Sequence, residues 1–318
     1  MSLFHDCPLG EKKEYEIPIS DKKGLRVVVF QGKTAGKTLV VTTGVHGCEY
    51  IGVEAVKQVM EELDPNQLNG RVIFLPLIND EGFYQGVKRI VPEDGLNLNN
   101  SFAGEEDGTY TKHLAYEIER HIYKEADFLI DLHGGDANET MTPLVFFPVS
   151  AGEVVEKEVR KALKELSITY CVQSYAKNGL YSYATQCGVP AILIERGGGG
   201  RWSSEEVDAC KQNIYEMLAY LNIMPLSKER QEIRETHEPS KEIMNACYEE
   251  AKEDGFFYCT KKPYETVKEG EVLGEVQDKK GKVLQQCVAT YDGVVLYYTH
   301  ALGVKKGDAL IAYGKVKF

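Results

Sequence analysis

Between about residue 25 and residue 196, short apolar runs alternate with amphipathic helical patterns, and few folds accommodate that rhythm. The runs "LRVVVF", "TLVVTTG", "RVIFLPLIN", "ADFLIDLHG", "TPLVFFPV" and "PAILIER" are rich in Val, Ile, Leu and Phe. Continuous apolar character of this kind marks strands buried on both faces. Between the runs, Val56, Val59, Met60 and Leu63 recur at helical spacing. Leu114, Ile118 and Ile122 do the same, as do Val155, Val159, Ala162 and Leu166. A last helix, "SSEEVDACKQNIYEMLAYLNIM", opens on a capping serine, Ser203 or Ser204. Strand–helix alternation predicts an α/β domain with a mostly parallel mixed sheet and helices on both faces.

From about Pro225 the texture changes. "PLSKERQEIRETHEPSKE" is charged and weakly patterned, and after Gly255 come short strands separated by turns. The expected layout is an α/β domain over residues 1–225, a linker or surface crossing over 226–254, and a small all-β domain over 255–318. That last unit holds an internal echo: "VKEGEVLGEV" from Val267 and "VKKGDALIAYG" from Val304 share V-K-x-G-[ED]-x-L, 37 residues apart. The region resembles the half-repeats of biotinyl/lipoyl-type β-domains. Its turn "DKKG" would display Lys279 or Lys280, but the methionines that flank the modified lysine of biotin carriers are missing. A structural or substrate-shaping module is the better expectation.

The chain has 318 residues and a net charge of −12, which argues against nucleic acid or an anionic membrane as its partner. Its start has no basic segment followed by an apolar one, and no run reaches the ~20 apolar residues of a membrane helix. Eight cysteines lie scattered with no C-x-x-C pair, which fits reduced thiols and a cytoplasmic location. The expected partner is a small molecule, and association between copies of the chain is left open.

In open α/β sheets, ligands collect at the carboxyl ends of strands. "TLVVTTGV" is followed by His46 and then Glu49, and "RVIFLPLI" by Asn79 and Asp80. "ADFLIDL" is followed by His133 and two glycines, "PAILI" by Glu195, Arg196 and four glycines. A hydrolytic zinc site takes three imidazole or carboxylate ligands and keeps one position open. Across a strand-to-helix corner, His46 and Glu49 would lie about 5–6 Å apart at Cβ, within reach of one ion. His133 is the natural third ligand. Asp131, two residues earlier on the same strand face, either orients a neighbouring group or is an ordinary strand-end carboxylate. H-x-x-E alone is a frequent chance spacing, and the zinc signatures H-E-x-x-H and H-x-x-E-H are absent.

Taken together, "GVHGCE", "DLHGG" and "PAILIERGG" resemble the H-G-x-E, D-L-H and late-glutamate motifs of the succinylglutamate desuccinylase/aspartoacylase family. That family is a branch of the zinc carboxypeptidase superfamily. "NDEGFYQGVKRIVPEDGLNLNNSFAG" is similar to its long segment ending in D-L-N-R-x-F-P-G, and the β region after Gly255 resembles its C-terminal part. The resemblance implies a zinc carboxypeptidase-like fold with one zinc per chain, held by His46, Glu49 and His133. It implies Glu195 as the glutamate that activates the attacking water, and Arg89 as the cation that polarises the scissile carbonyl.

The chain departs from the pattern at Asn97, where the family has aspartate, and at Asn100, where it has arginine. In the family that arginine helps to bind the free carboxylate of the substrate, and an asparagine amide does not supply its charge. Asn99, Asn100 and Arg196 are the expected substrate-binding residues; Arg196, Arg201 and Lys88 either form a replacement clamp for the carboxylate or are solvated surface cations. The run Gly197–Gly200 lacks the Lys-Ser/Thr of a phosphate loop and is expected to turn the chain tightly beside the site. The expected activity is zinc-dependent hydrolysis of an amide, most simply deacylation of an N-acyl amino acid or related small amide. The alternatives are a carboxypeptidase-like peptidase and a catalytically silent zinc-binding recognition protein.

Overall fold

A computed structural model describes residues 3–317. Strands β1 (Glu11–Pro18), β2 (Gly24–Gln31) and β3 (Thr34–Thr43) lead into helix α1 (Tyr50–Glu62). Strand β4 (Asn69–Leu75) leads into the short α2 (Asp80–Gln85), and α3 (Tyr110–His121) into β5 (Phe128–His133). Next come β6 (Glu139–Met141), β7 (Leu144–Pro148), α4 (Glu153–Leu163) and β8 (Tyr170–Ser174). Helix α5 (Leu180–Gln186), β9 (Ala191–Glu195) and α6 (Ser204–Tyr220) complete this part. Ser203 is the residue that caps α6, its hydroxyl accepting from the Glu206 amide at 3.3 Å.

Strands β4, β3, β5 and β9 lie side by side in parallel at the centre of a large mixed sheet. Their unbroken apolar runs reflect a core on each face. Leu39, Val41, Ile130 and Leu132 pack with α1, α4 and α6 on one side. Val40, Leu129, Ala191 and Leu193 pack with α3 and α5 on the other. Alternate residues of one strand thus serve two cores, which removes the polar alternation of a half-exposed strand.

The segment 226–254, expected as a linker or surface crossing, forms regular elements. It contains α7 (Lys228–Thr236), capped by Ser227, and β10 (Lys241–Glu250). Helix α7 buries no residue and β10 fully buries only Ile243, so neither carries the apolar periodicity that would have announced it. The all-β region follows as β11 (Gly255–Cys259), β12 (Thr266–Val267), β13 (Val272–Gln277), β14 (Val283–Val288), β15 (Gly293–Thr299), β16 (Gly303–Val304) and β17 (Ala309–Val316). Strands β14, β13, β11 and β16 form a separate antiparallel sheet, with Phe257, Leu273, Val276 and Cys287 in its core. The remaining three are seamed into the large sheet. Strand β10 pairs with β8 on one side and β17 on the other, and the order continues through β15 to β12.

The sequence echo is a structural one. At Lys268 and again at Lys305, the backbone amide donates to the carboxylate three residues on, Glu271 (2.9 Å) or Asp308 (2.8 Å). Each turn carries a glycine in the left-handed region, Gly270 at φ 82° and Gly307 at φ 90°. No helix among the described residues is long and apolar enough to cross a membrane.

Candidate metal and catalytic centre

His46, Glu49, His133 and Glu195 come from the carboxyl ends of three adjacent parallel strands, β3, β5 and β9. The β5–β9 register places His133 directly beside Glu195. Past β3, Gly44 at φ 70° turns the chain, and Glu49 then occupies the cap position of α1. A carboxylate is favoured there by the helix dipole. Gly134 lets the β5 end pass close to β9, because a Cβ on it would lie 2.4 Å from the Arg196 carbonyl oxygen.

Donor atoms of His46, Glu49 and His133 gather within 4.8 Å of one another, and no other such trio occurs among the described residues. His46 Nδ1 lies 2.7 Å from Glu49 Oε1, and His133 Nδ1 lies 2.9 Å from Glu49 Oε2. The far sides of both rings are held. His46 Nε2 donates to Asn97 Oδ1 and His133 Nε2 to Asp131 Oδ2, each at 3.2 Å. Asp131 is itself fixed by the Thr42 hydroxyl at 2.7 Å. With both Nε2 atoms donating outward, two imidazole lone pairs face a carboxylate at contact distance. That arrangement needs protons or a cation at its centre, and a divalent ion with nitrogen and oxygen ligands suits it. Burial opposes the charge on Glu49, but the two histidines outweigh it and hold the carboxyl down at about 2. Burial likewise disfavours imidazolium at His133, and Asp131 and Glu49 overcome it, raising its pKa well above the ordinary value.

Glu195 is in the opposite condition. Burial, joined by the charge of Glu49, raises its carboxyl well above the usual range. Its Oε2 is buried with no hydrogen-bond partner. A carboxyl of this kind holds a proton more readily than an exposed one, which suits a group that accepts and passes on a proton.

These residues open into a cavity of about 400 Å³, lined also by Arg89, Asn97, Asn99, Asn100, Asp136 and Glu139. Strand β10 supplies Tyr248 and Glu250, and β15 supplies Leu296 and Tyr297. Although Tyr248 is about half-exposed as a residue, desolvation of its hydroxyl and the charge of Glu195 push that group up to about 12, so it remains a neutral donor. Arg89 is about half-exposed, its Nε 3.3 Å from Asp136 Oδ2 and its Nη2 3.3 Å from Glu139 Oε1. A larger cleft of about 630 Å³, between Arg160, Arg234 and Glu242, gathers no comparable donor set.

The expected substrate-binding residues divide. Asn100 is exposed and faces the cavity. Asn99 also lines it, but its carboxamide oxygen accepts from the Leu180 amide at 2.9 Å, tying the turn to the start of α5. The expectation for Arg196 needs correction. Its side chain is buried away from the cavity, with Nε 2.9 Å from Asn213 and Nη1 3.0 Å from Glu206. One residue after Glu195, it points the opposite way, so its charge is spent on α6. Arg201 is exposed outside the cavity lining, and Lys88 pairs with Asp136 and Asn138. The glycine run takes φ values of 76°, 152°, 69° and 60°, a tight turn that side chains would resist. Asp136 and Glu139 were not anticipated, although "DLHGGDANE" places both just after His133. Tyr248, Glu250 and Tyr297 are more than a hundred residues from His133 in the chain, and nothing local marks them.

The model of the succinylglutamate desuccinylase/aspartoacylase catalytic domain matches residues 35–221. The chain is 26% identical over 297 residues to an N-alpha-acetyl-L-2,4-diaminobutyric acid deacetylase of Halomonas elongata, covering 91% of this chain and 84% of that protein. It is similar in structure to a succinylglutamate desuccinylase/aspartoacylase from Rhodobacter sphaeroides, with a TM-score of 0.86 and 25% identity over 96% of both chains. A product-bound ectoine utilization protein EutE (DoeB) from Ruegeria pomeroyi shares the fold, at a TM-score of 0.86 and 23% identity over 97% of both chains.

Proposed function

The chain belongs to the succinylglutamate desuccinylase/aspartoacylase family, and from that premise we propose that it is a zinc-dependent deacylase of N-acyl amino acids. The observation that carries this reading is the convergence of His46, Glu49 and His133 beside a buried glutamate oxygen without a partner. His46 and His133 through Nδ1, and Glu49 through its carboxylate, would hold the ion. When bound, zinc supplies Lewis acidity, polarising an amide carbonyl and lowering the pKa of water. Asn97 and Asp131 fix the two rings in the tautomer that leaves Nδ1 free. Glu195 Oε2 removes a proton from the attacking water and returns it to the leaving nitrogen. Arg89 faces the negative charge that develops on the carbonyl oxygen. Retention of Glu195 and Arg89 beside the trio favours an enzyme over a silent binding protein.

Charge favours one class of substrate. Setting aside Glu49, whose charge the ion would offset, and Glu195, whose raised pKa favours its neutral form, Asp136, Glu139 and Glu250 line the cavity, against Arg89 as the only arginine or lysine doing so among the described residues. Arg89 is already paired with Asp136 and Glu139, and Asn100 brings no charge. A substrate with several carboxylates meets repulsion there, whereas an N-acyl amino acid with a cationic or neutral side chain does not. The Halomonas relative, named for an acetylated diamino acid, is consistent with this preference. The test is a hydrolysis panel of N-acetyl-2,4-diaminobutyrate, N-acetylornithine, N-acetylaspartate, N-succinylglutamate and small dipeptides, run with zinc and with chelator. Zinc-dependent hydrolysis favouring the first two supports the proposal. Chelator-insensitive turnover, or preferential cleavage of the dipeptides, contradicts it.

A further inference from the structure

Arg89 sits in an irregular stretch between α2 and the turn at Leu98–Asn100, so no regular element orients its long side chain. Both of its ionic partners come from the loop after His133. Each carboxylate there divides its two oxygens in the same way. Asp136 Oδ1 accepts from the Cys48 thiol at 3.3 Å and the Ala137 amide at 3.0 Å, leaving Oδ2 for Arg89 Nε at 3.3 Å, with Lys88 Nζ more distant at 3.9 Å. Glu139 Oε2 accepts from the Asp136 amide at 3.1 Å, leaving Oε1 for Arg89 Nη2. Side-chain exposure of the two carboxylates is 6% and 8%, against 53% for the arginine they hold. One oxygen of each is anchored in protein and the other grips one edge of the guanidinium, with Nη1 uncommitted to either.

The loop is in turn locked from the C-terminal side. Strand β6 begins at Glu139 and pairs with β15, Glu139 opposite Thr299 and Met141 opposite Tyr297. The Thr299 hydroxyl accepts from Asn138 Nδ2 at 2.9 Å and donates to the Asn138 carbonyl at 3.0 Å. The His300 amide reaches the same carbonyl at 2.8 Å. Thr142, just past β6, donates to the Val295 carbonyl at 2.8 Å.

We infer that Asp136 and Glu139 are positioning residues that clamp Arg89 toward the reacting carbonyl, and that β15 of the C-terminal region holds the clamp in register. This rests on the proposed role of Arg89 and assigns the all-β region a part in catalysis that its distance in sequence conceals. A planar guanidinium gripped along one edge is preorganised for the charge that develops in the transition state, whereas a free arginine spends that interaction on its own ordering.

The test is a double-mutant cycle on the most readily hydrolysed member of the panel. Asp136→Asn and Glu139→Gln each keep shape and should lower kcat by about 10–100-fold, with little change in KM or metal content. In an Arg89→Ala background the same changes should cost no more than about twofold, because residues acting as one unit are not additive. Undiminished losses in that background overturn the clamp. An Arg89→Ala loss below tenfold refutes the oxyanion role instead. The clamp is then judged by NMR of the Arg89 Nε–H: solvent exchange at least tenfold faster in Asp136→Asn and Glu139→Gln supports it, and unchanged exchange overturns it.

Discussion

On the wall of the cavity formed by the ends of β3, β5 and β9, the histidines and Glu49 are buried and anchored from behind. His46 leans on Asn97, His133 on Asp131, and Asp131 on Thr42. The facing wall brings Arg89, Asn100, Tyr248, Glu250 and Tyr297 from an irregular stretch, a 3-10 turn and two late strands. Asn100, Tyr248 and Glu250 are exposed there. The contrast separates two demands. On the proposed function, metal ligation and proton transfer, which tolerate little displacement, fall to the ends of central, buried strands. Selection among substrates would then fall to side chains whose charge can change without disturbing that frame.

The largest expected effect probes the rigid wall. Glu195→Gln keeps the shape of the side chain but accepts no proton, so kcat should fall by about 10²–10⁴-fold with zinc content unchanged. A loss below tenfold would remove Glu195 from the role of general base and leave the two walls without a division of labour.

A second comparison probes the facing wall. With Asn100 in place of a cation, an N-acyl amino acid and its carboxamide should differ in kcat/KM by less than about tenfold, since a charge-assisted contact is worth ~1.5–3 kcal/mol and none is supplied there. Preference for the acid by more than about a hundredfold, roughly 2.7 kcal/mol, would mean that a carboxylate clamp survives. Arg89 and Arg201 would then be the cations to examine by charge removal, because Arg196 is committed to Glu206 and Asn213.

What could be read from the sequence follows the same division. His46, Glu49, His133 and Glu195 each stand just past or at the end of an apolar run, so their place at one edge of the sheet follows from strand pattern alone. Arg196 was misjudged because adjacency to Glu195 in sequence says nothing of direction at a strand end. Asp136 and Glu139 were not singled out, because their contact with Arg89, about fifty residues earlier, leaves no mark in the local sequence. Tyr297 reaches the cavity because β15 pairs with β6 and joins the large sheet through β17 and β10. Strand β10 was hidden by its half-exposed side chains, and with it the bridge between the two parts of the molecule.

That bridge gives a smaller prediction. Thr299→Val removes the hydroxyl that holds Asn138 and should lower stability by about 1 kcal/mol, measured by denaturant unfolding. If β15 keeps the facing wall in register, kcat should also fall a few-fold with metal content intact. Smallest of all is the expected effect at the tip of the β13–β14 hairpin. Lys279 and Lys280 lie there in a turn fixed by Asp278, so Lys279→Ala with Lys280→Ala should change activity by less than about twofold. A large loss, or a covalent group on either lysine by mass spectrometry, would revive the carrier reading of that domain.

The central claim is that the trio at the strand ends binds the metal on which activity depends, and zinc stoichiometry tests it most directly. Purified protein dialysed against metal-free buffer should retain close to one zinc per chain, and His133→Ala should retain well below one while remaining folded. Full zinc in His133→Ala would place the metal elsewhere. An active wild-type protein with no zinc would contradict the account.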